Sequence, residues 1–219
     1  MAYFHGGAAL AVETLNANFD MDISKYVSVD MEALAEIVDA VGGVELNITE
    51  EELPEMNAFI NETNCILGGE PSPFIQNTGK QHCDGRQALV YARIRELGNS
   101  DFDRTARQRI LLSEIYAKVK ANLSVNTALS LLNGVSEHIE TNLSNSEIIK
   151  LAYSILKAQG GVETYSLCSE DYIRSCDLSE SGMQILVPYT LSDMSRELHR
   201  IIYGESFDYT PSAQLLEYE

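Results

Sequence analysis

Six of the nine arginines in this chain, Arg86, Arg93, Arg95, Arg104, Arg107 and Arg109, fall in one short window, and no lysine falls among them. Only Glu96, Asp101 and Asp103 oppose them there, so the window is net positive inside a chain of formal net charge −18. A planar guanidinium donates paired hydrogen bonds to phosphate oxygens and keeps its charge when partly desolvated. Exclusive use of arginine therefore suits an anion with many oxygens, such as a pyrophosphate. The competing explanation is ion pairing with neighbouring acids. Arg86 and Arg109 fit that explanation better, because nothing places them on the same face as the others.

The spacing dictates how these groups can meet. Arg93 and Arg95 in Tyr91-Ala92-Arg93-Ile94-Arg95 share a side only if the chain leaves the helix near Ala92 and becomes extended. Arg104, Arg107 and Gln108 are spaced i, i+3, i+4, on one side of the first turns of a helix. Their stripe continues as Leu111, Leu112, Ile115 and Val119, an apolar face that must look inward, so the polar groups stand at its rim. A helix N-terminus also attracts anions through its free N–H groups and its dipole.

The elements that must position these residues can be read from periodicity and caps. Helices are predicted over 8–19, Met31–Val41, 84–92, Asp103–Ala121, Val125–His138, Ser146–Ala158 and Leu191–Tyr203. Leu34, Ile37, Val38 and Val41 form the inner face of the second, which Gly42-Gly43 stops. Asp103 is expected to precede the long helix, Asn145 or Ser146 the Ser146–Ala158 helix, and Gly160-Gly161 to end the latter. Strands are predicted over Lys25–Val29, Val44–Ile48, Val162–Leu167 and Met183–Val187, with Asp171 to Arg174 at the tip of a late hairpin. The first strand, helix and second strand resemble a βαβ unit, which points to a mixed α/β class.

Thr49 to Cys83 reads as a long excursion, either a lid bordering the substrate or a surface insertion. The four cysteines form two local pairs, and the favoured disulfides are Cys65 with Cys83 and Cys168 with Cys176, implying an oxidising compartment. Four free buried thiols are the alternative. Residues 1–204 read as one domain, and 205–219 as a polar, loosely held tail.

Other chemistries find little footing. A charge of −18 repels nucleic acid and anionic membrane, so an anion must be caught by a local cluster. No apolar run is long enough to span a bilayer, and there is no phosphate loop or nucleophile elbow. His5, His82, His138 and His199 lack metal-ligand spacing. The chain opens almost directly into a helix without the strand an α/β domain normally supplies, so its start is expected to lie inside the domain.

Asp84-Gly85-Arg86-Gln87-Ala88-Leu89-Val90-Tyr91-Ala92-Arg93-Ile94-Arg95, followed by Asp101-Phe102-Asp103-Arg104-Thr105-Ala106-Arg107-Gln108 and preceded by Ile37-Val38-Asp39-Ala40-Val41-Gly42-Gly43-Val44, resembles the signature of LytR-CpsA-Psr proteins. The resemblance implies a three-layer αβα domain, a central mixed β-sheet flanked by helices. It implies a membrane-anchored protein at the extracellular face of the cell membrane, with the anchor outside this chain. Such proteins transfer a glycopolymer, of teichoic acid or capsular polysaccharide type, from a polyprenyl-pyrophosphate carrier to a peptidoglycan acceptor.

By the same resemblance Arg93, Arg95, Arg104 and Gln108 bind the pyrophosphate, and Arg107 assists or supports them. Asp101 orients an arginine or helps activate the acceptor hydroxyl, so that Arg95, Asp101 and Arg104 are the implied catalytic set. The family holds Mg2+ with aspartates of N-terminal strands and of a Pro-Arg-Asp motif that this chain lacks, so no metal ligands can be named in it. The apolar faces near Leu111 to Val119 either border a groove for the prenyl chain or are ordinary core. A binding module for polyprenyl phosphate or anionic glycan, and a hydrolase acting on the same donor, are the competing functions.

Overall fold

A computed structural model describes residues 2–95, 97, 101–122, 139–167, 169, 171–178 and 183–217. It divides into two compact units, residues 27–163 and residues 1–26 with 164–219. The arginine window lies in the first.

Alternation of Val44, Leu46 and Ile48 with Glu45 and Asn47 makes a strand with one apolar face, and all three apolar residues are fully buried. This strand, β2 (Val44–Ile48), follows β1 (Val27–Val29) and α1 (Ala2–Phe19), which Gly6 and Gly7 interrupt with non-helical angles. Between β1 and β2 stands α2 (Met31–Ala40), its first turn capped by Asp30, whose carboxylate accepts the Ala33 N–H at 2.8 Å. Gly42 and Gly43, with φ of 85° and 78°, end α2 as expected, and a Cβ at Gly43 would meet the Cys83 carbonyl oxygen at 2.8 Å.

The excursion after β2 is ordered and consists largely of regular structure. Glu52–Leu67 is a helix, α3, and Gly79–Cys83 is a strand, β3, paired antiparallel with β2 from Val44 opposite Cys83 to Ile48 opposite Gly79. The segment between them is tied to α3 by two side-chain amides. Asn57 bonds both the N–H and the carbonyl of Ile75, and Asn64 those of Ser72, all at 2.9 Å. No disulfide staples it: Cys65 and Cys83 are free, the first exposed on α3 and the second buried in the core. Burial, then the charges of Asp84 and Glu45, push the Cys83 thiol up to about 12. Cys176 is also free, and Cys168 lies outside the described residues.

Helix α4 (Gly85–Arg93) starts at a reciprocal capping box in which Asp84 accepts the Gln87 N–H and Gln87 accepts the Asp84 N–H, each at 2.9 Å. Asp39 of α2 takes the Gly85 N–H at 2.6 Å, and a Cβ on Gly85 would sit 2.1 Å from the Ala35 carbonyl oxygen. Backbone is what stands in the way, so relief requires α2 and α4 to move apart. Gly85→Ala is expected to lower stability by at least about 1–3 kcal/mol in urea titrations, an overpacking cost.

Helix α5 (Asp101–Asn122) begins two residues before the expected start, so Asp103 lies in its first turn and does not cap it. Together β2, α3, α4 and α5 enclose the core of this unit, with Leu46, Ile48, Met56, Ile60, Val90 and Ile94 fully buried. Then come β4 (Ile139–Thr141), paired antiparallel with β1, and α6 (Asn145–Lys157), capped by Ser144 and not by Asn145 or Ser146. The helix expected over Val125–His138 lies outside the described residues.

The class is mixed α/β, mostly helical. The βαβ expectation fails among the described residues, because β1 pairs with β4 and β2 with β3, giving separate two-stranded antiparallel sheets instead of a shared parallel one. The partners of β1 and β2 lie farther along the chain, beyond α5 and α3, so the strand nearest in sequence is not the one that pairs.

In the second unit a hairpin pairs β5 (Ile173–Leu178) with β6 (Met183–Pro188). Val162–Leu167 is not a strand, and Ile173 and Arg174 open β5 instead of forming a tip. Helix α7 (Leu191–Tyr203) matches its expected bounds, and α8 (Ala213–Leu216) follows. The tail is docked. Leu215 is fully buried, Tyr209 stacks on His199 at 4.1 Å, and Asp20 accepts the Tyr209 hydroxyl and the Ser212 N–H at 2.7 Å. Burial alone would raise the Asp20 carboxyl, but these bonds together bring it below the usual carboxylate range.

Candidate anion site

Helix α4 carries Val90, Tyr91 and Ala92 into the core and stops at Arg93, where Ile94 turns extended with φ −55° and ψ 126°. The helix runs one residue past Ala92, and the change comes at Ile94. From there side chains alternate, and the Ile94 side chain is fully buried. Arg93 and Arg95 line a cavity of about 480 Å³ to which α5 contributes Arg104 and Gln108, with Phe59 of α3 and Met31 of α2 completing the wall. Two separated stretches of chain therefore supply guanidinium groups to a shared hollow.

Arg107 stands elsewhere. It is 7% exposed, and its Nε donates to Glu52 Oε1 at 2.7 Å while Nη1 donates to the Ile94 carbonyl at 3.2 Å. Burial, then the Glu52 carboxylate, push the Tyr91 phenol up to about 12, with Arg107 opposing. Arg86 donates to Asn64 Oδ1 at 3.1 Å and to the Gly68 carbonyl, closing the end of α3. Its partners are an amide and a carbonyl, not the acids expected from sequence. Asp101 opens α5, and its side chain lies outside the described residues.

An adjoining cavity of about 390 Å³ shares Met31, Ala92, Arg93 and Gln108 with the first and adds the apolar walls Leu34, Leu89, Leu111 and Leu112. Leu111 is buried as its stripe requires, whereas Leu112 is exposed and borders this hollow. An arginine-lined cavity opening beside an apolar one can hold an anion bearing an apolar tail. Sequence reasoning missed Phe59 and Met31, since an aromatic and a methionine on two other helices give no local signal, and Glu52, which read as one acid among many.

Among the described residues no group of three or more His, Cys, Asp or Glu side chains could hold a metal ion. No helix among the described residues is long and apolar enough to cross a membrane.

A family model described as the LytR_cpsA_psr family matches residues 1–191. The chain is 35% identical over 163 residues to a polyisoprenyl-teichoic acid–peptidoglycan teichoic acid transferase, TagU, of Enterococcus faecalis, covering 74% of this chain and 48% of that protein. It is 36% identical over 180 residues to biofilm regulatory protein A of Streptococcus mutans, covering 77% of this chain and 40% of that protein. The chain thus spans less than half the length of these two relatives. A solved crystal structure of a Streptococcus agalactiae protein superposes with a TM-score of 0.73 at 23% identity, over 97% of this chain and 68% of that one, a likeness of fold.

Proposed function

We infer the function of this chain from a premise: it belongs to the LytR-CpsA-Psr family, whose model matches residues 1–191. The reading is a phosphotransferase at the extracellular face of the membrane that moves a glycopolymer of teichoic acid or capsular type from a polyprenyl-pyrophosphate carrier to peptidoglycan. The observation that carries it is the cavity of Arg93, Arg95, Arg104 and Gln108, drawn from two separated stretches of a strongly acidic chain. The name of the Enterococcus faecalis relative supports the same donor and acceptor classes. The three-layer sheet, magnesium and the membrane anchor are proposals for the whole protein.

Phosphoryl transfer asks little covalent chemistry of the protein, so positioning and charge stabilisation suffice. An acceptor hydroxyl attacks the glycan-proximal phosphorus in line, the new O–P bond forms as the bridging P–O bond breaks, and polyprenyl phosphate leaves. Guanidinium groups of Arg93, Arg95 and Arg104 face the non-bridging oxygens and neutralise the charge that gathers on the leaving phosphate. Gln108 Nε2, which donates to the Ala92 carbonyl at 3.4 Å, stands at the same wall. Asp101 is placed by the resemblance to orient an arginine or to accept the hydroxyl proton. The apolar hollow beside Leu89 and Leu111 suits the first isoprenoid units of the carrier.

Mass-resolved products from the complete protein, given a polyprenyl-pyrophosphate-linked glycan and peptidoglycan, test this. Glycan joined to peptidoglycan is expected. Free glycan phosphate would favour a hydrolase, and no product despite binding would favour a sequestering module.

A further inference from the structure

Four pieces of chain meet at one buried ion pair. Glu52 sits in the first turn of α3, and its Oε2 accepts the N–H of Thr49 just past β2 at 3.0 Å. Its Oε1 takes the Nε of Arg107 from α5 at 2.7 Å, and Arg107 Nη1 reaches the Ile94 carbonyl beyond α4 at 3.2 Å. Both side chains are 9% exposed. A buried pair of this kind seldom outdoes a well-packed apolar substitute in stability, because desolvating two ions offsets their attraction. What it supplies here is direction.

We propose that Arg107 is a positioning residue, braced by Glu52, that clamps the Ile94 carbonyl and so holds Arg95 facing the cavity beside Arg93. The inference rests on the pyrophosphate reading of that cavity and deepens it. Ile94 is pinned twice, its side chain in the core and its carbonyl on Arg107. The Ile94 carbonyl and the Arg95 N–H belong to one planar peptide, so fixing the first fixes the plane that aims the Arg95 side chain.

The extended step at Ile94 then sends Arg95 to the side away from the buried Ile94 side chain, next to Arg93 at the end of α4. Arginine is required because two donors at a fixed angle must serve a carboxylate and a carbonyl together, whereas a lysine is one point charge on a flexible stem. Arg107 is not among the residues that line the cavity, so it acts through the segment and not on the anion itself.

The test uses this chain, with Arg107→Lys and the paired Glu52→Gln, Arg107→Met variant, each first checked for a cooperative melt. Backbone amide exchange at Arg95 and Leu97 is measured without ligand, and inorganic pyrophosphate is titrated by calorimetry. In Arg107→Lys, exchange at those amides is expected to rise roughly tenfold while amides of β2 stay protected, and pyrophosphate affinity to fall roughly tenfold. The loss caused by Arg95→Ala should also shrink in the Arg107→Lys background, a coupling that a purely structural role would not produce.

Unchanged exchange at Arg95 in Arg107→Lys overturns the proposal. Should Arg107→Lys fail to fold, the paired variant decides, and wild-type exchange in it is equally fatal. If the wild-type chain takes no pyrophosphate yet Arg107→Lys loosens the segment, the clamp stands and the pyrophosphate reading falls.

Discussion

Arg95→Ala, made in the complete protein, is expected to slow release of polyprenyl phosphate by about 10²–10³-fold, the usual cost of removing one preorganised donor from a developing negative charge. The expectation follows from where Arg95 stands. It lines the arginine cavity, yet it is exposed, so its removal takes nothing from the core. Far-ultraviolet circular dichroism and the melting temperature should therefore match the wild type while turnover collapses. If the guanidinium acts mainly in the transition state, kcat falls and KM moves little. Wild-type turnover in this variant would remove the chemical basis of the phosphotransferase reading, whereas a shifted melt would mean that Arg95 serves the fold.

Breaking the buried pair should have the largest effect on stability. Arg107→Met alone leaves the Glu52 carboxylate buried without its partner, and Glu52→Gln alone leaves the Arg107 guanidinium uncompensated. Each single variant is expected to lose about 3–5 kcal/mol at neutral pH in urea titrations. The paired variant removes both charges at once and should lose much less than the sum. The two residues are in direct contact, at 2.7 Å, so strong non-additivity is the required signature. Additive losses would mean that each side chain is held by other neighbours and that the pair is incidental.

How much of this was legible beforehand depends on the range of the interactions involved. Helix α7 was readable to the residue because its periodicity and its stop at Gly204 are local. The bounds of β2 were equally plain from alternation. The extended step between Arg93 and Arg95 followed from a two-residue spacing that a helix cannot place on one side. By contrast, the partners of each strand, the order in the Thr49 to Cys83 excursion and the docking of the tail all depend on contacts between residues distant in the chain. Asn57 with Ile75 and Tyr209 with Asp20 are of that kind.

The cysteines make the same point. Pairing by proximity in sequence put Cys65 beside Cys83, but α3 carries one to solvent while β3 carries the other into the core.

The sequence by itself determined the chemistry on offer: an arginine-only cluster in an acidic chain, with spacings that allow two stretches to present guanidinium groups together. Tertiary structure alone decided which arginine does what. Arg93, Arg95 and Arg104 reach a cavity, while Arg107, one turn further along the same helical stripe as Arg104, meets Glu52 from another element and is withdrawn into the core. A charged side chain buried among apolar neighbours must find its counter-charge, and where that counter-charge sits is a property of how helices pack, which no local spacing encodes.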